Sequence, residues 1–232
     1  MVLMGTAIAL APAVVSPVSA SAFGPLPACV YDDVLTPRRE YKDWAKSLLD
    51  TRLKLGKRYA PPRLVPVTDS GIRGEGRVRP LVIDDLRALR LAARAADHPI
   101  EVVSAYRSFA KQKTVFEYWV DKFGYEAAIK TSARPGHSEH QLGTTLDFKA
   151  KGGRDPWLSD DWGATRTGTW MRKNAWKFGF VMSYPKGEKK HTCYSYEPWH
   201  FRYFGRDRAA RIHESGLTTR QWLWRHGYGV GT

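Results

Sequence analysis

Between Glu40 and Lys57 the apolar residues Tyr41, Trp44, Leu48, Leu49 and Leu53 recur at steps of three and four, which predicts an amphipathic helix. Pro61-Pro62 cannot continue it. Leu64-Val65-Pro66-Val67 reads as a short extended piece, and Gly71 to Gly76 as a flexible loop. From Leu81 to Ala96, Val82, Leu86, Leu89 and Leu91 among alanines predict a core helix. Pro99 to Tyr106 is a strand, and Phe109 to Lys122 a helix that buries Val115, Phe116 and Trp119. A polar loop over 131–139 leads to a second strand, Leu142 to Phe148, and a Gly/Asp/Pro loop runs to about 166. Thr169 to Lys177 is a helix, Phe178 to Tyr184 a strand, Pro185 to Lys190 a turn and Glu197 to Tyr203 a further strand. Asp207 to Glu214 and Thr218 to Arg225 are closing helices. Few strands, several helices and no regular βαβ alternation place the chain in the α+β class. No internal repeat or low-complexity tract is present.

The chain has 232 residues and 43% hydrophobic content, enough for one domain with a proper core. Residues 1–22 are apolar, uncharged and end in Ala20-Ser21-Ala22, like the apolar region and cleavage site of a secretory signal. A positive start is missing, and a membrane anchor is the alternative; two prolines argue against a stable spanning helix. The expected division is a leader over 1–22, an N-terminal loop and helix over 23–60, and the main domain over 61–232. Thirty-seven Lys+Arg against 23 Asp+Glu give a net charge of +14, a field that favours polyanions such as an anionic wall polymer. The basic residues are spread out and no nucleic-acid-binding motif is present, so no nucleic-acid partner is expected. Cys29 and Cys193 lack CxxC spacing, which excludes a cysteine zinc knuckle and leaves either a long-range bridge or two free thiols.

Two stretches carry candidate chemistry. Ser138-Glu139-His140-Gln141-Leu142-Gly143-Thr144-Thr145-Leu146-Asp147 and Glu197-Pro198-Trp199-His200 together offer two histidines and an aspartate to a metal. Three N/O ligands with one open position are the usual catalytic zinc arrangement. Glu197, three residues before His200, can reach a water without replacing it. His140 and Asp147 would face opposite sides of a straight strand, so the chain must bend between them, and Gly143 permits it. Arg107, at the end of the Pro99–Tyr106 strand, can hold a carboxylate in bidentate fashion; Gln112 lies one helical turn on. Ser108-Phe109-Ala110-Lys111 matches the S-x-x-K of serine penicillin-recognising enzymes, but the S-D-N-like and K-T-G-like companions are absent. His137 reads as a loop residue, His191 as a surface residue, and His98, His213 and His226 as exposed; Trp199 reads as packing beneath a metal ligand.

Tyr106-Arg107-Ser108 with Gln112, the Ser138-x-His140-x-x-Gly143-x-x-x-Asp147 pattern and Glu197-Pro198-Trp199-His200-Phe201-Arg202-Tyr203 resemble the VanY-type D-alanyl-D-alanine carboxypeptidases, zinc metallopeptidases of the bacterial cell wall. The resemblance runs from about Tyr41 to Leu223. It implies a D,D-peptidase α+β fold, a small antiparallel sheet flanked by helices. It implies one zinc ion on His140, Asp147 and His200, with Glu197 as general base. Arg107 would bind the substrate's terminal carboxylate, with Gln112 and Ser138 lining the pocket. The implied substrate is a peptidoglycan stem peptide and the implied location is outside the cell or in its envelope. Related specificities stay open: an L,D-carboxypeptidase, a D,D-dipeptidase, an L-alanyl-D-glutamate endopeptidase, or a non-catalytic wall-binding module, against which Glu197 speaks.

Overall fold

The computed structural model describes residues 24–228, so the leader expected over residues 1–22 lies outside them. Among the described residues no helix is long and apolar enough to cross a membrane. In chain order the elements are β1 (Val34–Leu35), β2 (Leu53–Lys54), β3 (Val65–Pro66), β4 (Arg73–Gly74), β5 (Arg77–Val78), α1 (Ile83–Ala95), β6 (Ile100–Ser104), α2 (Phe109–Phe123), α3 (Tyr125–Thr131), β7 (Thr145–Ala150), α4 (Arg166–Asn174), β8 (Phe180–Met182), α5 (Lys189–Thr192), β9 (His200–Tyr203), α6 (Arg206–Glu214) and α7 (Thr219–Leu223). Short 3-10 turns join several of them.

One sheet in the order β4-β6-β7-β9-β8 organises the molecule. Its pairs from β6 to β8 are antiparallel, and β4 is added at the edge parallel to β6. The α+β reading therefore holds, with a sheet that is antiparallel except at that edge. Central β7 is buried along its first four residues. Leu146 and Phe148 of β7 pack with Val102, Phe180 and Phe201 of the flanking strands and with Leu86 and Leu89 of α1. α1 forms because Ile83, Leu86, Leu89 and Ala93 make one buried stripe, and Asp84 and Asp85 complement the positive end of its dipole. Leu91 falls on its outer face, half exposed.

The helix expected over 40–57 does not form. The segment holds one 3-10 turn, Tyr41–Asp43, and then bends into β2. Its apolar residues do not share a face: Trp44 packs on the sheet core, Leu48 beside Phe204 and Trp222, and Leu49 beside Leu55 and Leu142. Carbonyls that a helix would use are taken by Arg202, whose Nη2 donates to Trp44 O and Ser47 O at 2.8 Å each. The Asp50 carboxylate accepts from the N–H groups of Arg52 and Leu53, which fixes a turn instead.

The stretch Gly71–Gly76 is not a flexible loop, because Arg73–Gly74 is the edge strand β4. Gly74 has φ 137°, and a Cβ there would run into the Val102 carbonyl; glycine is needed for this close approach. α2 matches its expected span to within one residue, yet of the three side chains expected inside it only Phe116 is buried. Val115 and Trp119 are half-buried and line a cleft.

Cys29 and Cys193 are bridged, across a sequence separation of 164. On the loop-entropy account such a bridge contributes about 3–5 kcal/mol. Arg220 fastens the same N-terminal segment: its Nε donates to Asp50 Oδ2 at 2.6 Å and its Nη2 to Pro27 O at 3.0 Å. His137, expected as a plain loop residue, is buried and hydrogen-bonded to Asp50 O at 2.7 Å and to Asp33 Oδ1 at 2.9 Å. His213 and His226 are exposed and stack on Trp176 and Trp222. His98, expected exposed, is half-buried beside Trp170, and His191 is half-buried against Glu188.

Candidate metal and substrate site

The bend that the His140–Asp147 spacing requires is a 3-10 turn, Glu139–Leu142, placed just before β7. Ser138 caps it, its Oγ accepting from His140 N at 3.4 Å. Gly143 ends it with φ 72°, against Pro61 and Leu64, where a Cβ would meet side-chain carbons at 3.0 Å. His140 thus stands off the strand, while Asp147 stands on it. Asp147 is registered directly opposite His200 on β9, so the two side chains share a face. On the other side Ser104 of β6 is registered against Asp147, past a register shift between Val102 and Ser104. The chain leaving β6 therefore carries Arg107 to the same end, where Arg107 N donates to His140 O at 3.3 Å.

Three ligand atoms converge there. One atom each from His140, Asp147 and His200 lies within 4.8 Å of the others, and all three residues are buried. His140 Nδ1 sits 2.6 Å from Ala105 O, which can only accept, so the ring proton is on Nδ1. Nε2 then presents a lone pair 3.2 Å from Asp147 Oδ2, and this buried nitrogen has no hydrogen-bond partner among the described residues. His200 Nε2 donates to Glu139 Oε2 at 3.1 Å, which turns its Nδ1 towards Asp147 Oδ1, also at 3.1 Å. His140 Nε2 thus offers a lone pair beside Asp147, and His200 Nδ1 offers a second once an incoming cation displaces its proton. The donor set, two neutral nitrogens and one carboxylate with hydrogen-bonded outer partners, fits zinc. With no cation among these groups, burial disfavours a charged His200, but Asp147 and Glu139 outweigh it and push its pKa up to about 10. Burial together with the Arg107 charge pushes His140 down to about 4.

Glu197 lies in the turn before β9, its N–H held by Tyr184 O at 3.1 Å. Its Oε2 is 3.5 Å from His200 Nδ1, and the side chain keeps 22% of its surface exposed to the cleft. Burial raises its pKa to about 7, against the pull of His200. A carboxylate so placed can accept a proton near neutral pH. Arg107 Nη1 reaches Ser104 Oγ at 3.4 Å and comes no nearer to Asp147 than 4.0 Å. Among the described residues its guanidinium has most of its donors uncommitted, and its buried Nε has no partner. Gln112 is buried in the first turn of α2; its Nε2 donates to Ala133 O at 2.7 Å, and its Oε1 has no partner. Arg107, Gln112, Ser138, Asp147, Glu197 and His200 all line one cleft of about 1150 Å³. Trp199 is half-buried, packs on the sheet core and also borders that cleft, so it serves both surfaces.

Sequence reasoning missed the layer behind the candidate metal ligands. Glu139 is buried and accepts from Arg202 Nη1 at 2.8 Å, Ser183 Oγ at 2.6 Å and His200 Nε2. Burial alone would raise its pKa, but Arg202, His200 and Ser183 bring it down to about 2, so it is ionised. Arg202 is fully buried in β9. An arginine inside the otherwise apolar and aromatic His200-Phe201-Arg202-Tyr203 strand was the available signal that a buried carboxylate had to exist.

A family model described as VanY, D-alanyl-D-alanine carboxypeptidase, matches residues 75–206. The chain belongs to the VanY family. It is 33% identical over 182 residues to the putative carboxypeptidase YodJ of Bacillus subtilis (strain 168), covering 76% of this chain and 66% of that one. Among solved structures it is similar to the LdcB LD-carboxypeptidase, with a TM-score of 0.69, 28% identity and coverage of 84% of this chain and 97% of that one. Two VanY structures each give a TM-score of 0.66 at 28% identity over 78% of this chain. One is a glutamate-to-alanine mutant in complex with Zn(II), matched over 99% of its length; the other holds D-alanine-D-alanine, matched over 97%. The VanY match spans β6, β7 and β9, which carry or lead into Arg107, His140, Asp147, Glu197 and His200.

Proposed function

We propose that this VanY-family chain is a zinc carboxypeptidase that releases the terminal D-alanine from peptidoglycan stem peptides ending in D-Ala-D-Ala. The observation that carries the reading is the convergence of His140 Nε2, Asp147 and His200 Nδ1, oriented by Ala105 O and Glu139, beside the Glu197 carboxylate, which lies 3.5 Å from His200 Nδ1 and outside the converging triad. When bound by these three residues, zinc supplies Lewis acidity: it polarises a carbonyl and makes water acidic enough to attack near neutral pH. Glu197 takes the proton of the attacking water and returns it to the leaving amine nitrogen. Arg107 pairs with the free carboxylate of the departing residue, which selects the chain end over an internal bond. Gln112 Oε1 and Ser138 Oγ complete the pocket as hydrogen-bond groups.

Arg107→Ala should lower kcat/KM on peptides with a free C-terminus by about 10²-fold while changing amidated peptides little, as for a lost charge-assisted pair. Equal loss on both would make Arg107 structural. L,D-specificity is the second reading, favoured by the similarity to the LdcB LD-carboxypeptidase. Tetrapeptide and pentapeptide stems assayed side by side separate the two: D-alanine release from the pentapeptide alone supports the first reading, and release from the tetrapeptide alone the second.

Secretion or retention in the envelope suits this substrate, and the Cys29–Cys193 bridge suits an oxidising compartment. The net charge of +14 would hold the protein on anionic wall polymers. Co-sedimentation with wall material should then weaken as salt rises from about 0.05 to 0.5 M, where screening shortens the reach of exposed charges. Salt-independent retention would remove this role for the basic surface.

A further inference from the structure

The cleft is far longer than a dipeptide requires. One face of α2 lines it, through Lys111, Val115, Tyr118, Trp119, Lys122 and Phe123, at the three- and four-residue steps of a single helix face. Lys111 to Lys122 is a rise of about 16 Å at ~1.5 Å per residue. An extended peptide covers that length with roughly five residues at ~3.3 Å each. Arg107 stands just before the helix, at the catalytic end. The far end therefore lies where the upstream part of a stem peptide, and the sugar to which its N-terminus is attached, would reach.

The far end is also chemically marked. Trp119 and Phe123 stack at 5.6 Å with planes 12° apart, and Tyr118 meets Trp119 edge-on at 5.1 Å. Tyr118 and Phe123 are 54% and 56% exposed, an unusual cost for an apolar patch without a partner. Lys122 Nζ lies 5.4 to 5.8 Å from the centres of all three rings. Among the described residues neither Lys111 nor Lys122 has a carboxylate partner, whereas Lys113, outside the cleft lining, pairs with Glu117. Across the cleft Trp157 and Leu158 are also exposed. Lys122 Nζ also donates to Tyr118 Oη at 3.3 Å, but has no counter-charge among the described residues. Exposed rings suit the apolar faces of a pyranose, which pack as flat bodies while their hydroxyls stay in water, and lysines without a counter-charge suit carboxylates.

We infer that the cleft-facing side of α2 is a second subsite, which takes the acidic, sugar-linked upstream part of the substrate: stem carboxylates against Lys111 and Lys122, the sugar against Tyr118 and Phe123. The inference rests on the stem-peptide reading above and is continuous with that site. It makes the enzyme selective for stem peptides still attached to their sugar.

The test is calorimetric binding in the full chain carrying Glu197→Gln, which slows turnover about 10³–10⁴-fold, with each titration checked for released D-alanine. Three ligands are compared: acetyl-D-Ala-D-Ala, the free stem pentapeptide and the muramyl-pentapeptide. Adding Tyr118→Ala and Phe123→Ala, both at exposed positions, should weaken muramyl-pentapeptide binding about tenfold, the order expected for lost aromatic contacts. The free pentapeptide should change little and the acetylated dipeptide stay within about twofold. Adding Lys122→Met should instead weaken both long ligands several-fold and spare the dipeptide. Muramyl-pentapeptide affinity unchanged by the double aromatic substitution, or equal weakening of all three ligands, overturns the subsite. The catalytic reading fails separately: if the unsubstituted chain releases no D-alanine while the ligand-selective losses persist, the subsite stands and the activity does not.

Discussion

Replacing Glu197 with glutamine should leave the zinc content of the protein unchanged and lower kcat by about 10³–10⁴-fold, the range for losing a general base. The two halves of this expectation have separate origins. Zinc retention follows from the ligand geometry: the lone pairs come from His140 and His200 and the charge from Asp147, and each is fixed by groups other than Glu197. Loss of turnover follows from the position of Glu197, cleft-facing and held at a raised pKa by burial, where glutamine keeps the shape but accepts no proton. KM should change little, because the proposed carboxylate clamp is Arg107 and not Glu197. Metal analysis of the purified variant and steady-state kinetics on a pentapeptide check both halves. Full turnover would remove the base assignment, and loss of zinc would make Glu197 a ligand.

The second large effect concerns stability. Arg202→Met should cost about 3–5 kcal/mol, the usual penalty for removing one partner of a buried ion pair. Arg202 is fully buried and Glu139 nearly so, and the substitution strands an ionised carboxylate together with the carbonyls of Trp44 and Ser47. For a chain of this size the melting temperature should fall on the order of 10 °C. Adding Glu139→Gln to Arg202→Met should recover part of that loss, since the uncompensated charge is gone, while zinc affinity falls because a neutral amide oxygen orients His200 less firmly than the carboxylate does. A double variant less stable than Arg202→Met would argue that Glu139 is held chiefly by Ser183 and His200. An Arg202→Met melting temperature equal to that of the parent would contradict the buried pair altogether.

The candidate site was legible in sequence to the extent that its chemistry is local. His140, Asp147, Glu197 and His200 lie in two short stretches, and a metal needs such residue types wherever they meet. What spacing could not supply was the reason they meet: a 3-10 turn stopped at Gly143, and a cross-strand register that sets Asp147 against His200. Glu139 shows the limit most clearly. Beside a candidate metal ligand in a polar loop it looks like solvent-facing charge, and only β9, arriving far later in the chain, buries it against Arg202. The failed helix over 40–57 shows a different limit. Steps of three and four register a single face only when the side chains share one surface, and here Trp44, Leu48 and Leu49 serve three separate clusters. The helix α2 was legible in extent but only partly in role, because Val115 lines a cleft and Trp119 lines it while also packing on the cluster of Phe116, Ala128 and Ile129.

The most direct test of the central claim is zinc-dependent release of free D-alanine from a stem pentapeptide, measured on the wild-type chain, the chelated chain and the Glu197→Gln chain in parallel. The account predicts release by wild type, its loss on chelation with recovery when zinc is restored, and no more than a trace from the zinc-loaded variant. Release that survives chelation, or equal release by wild type and Glu197→Gln, would contradict it.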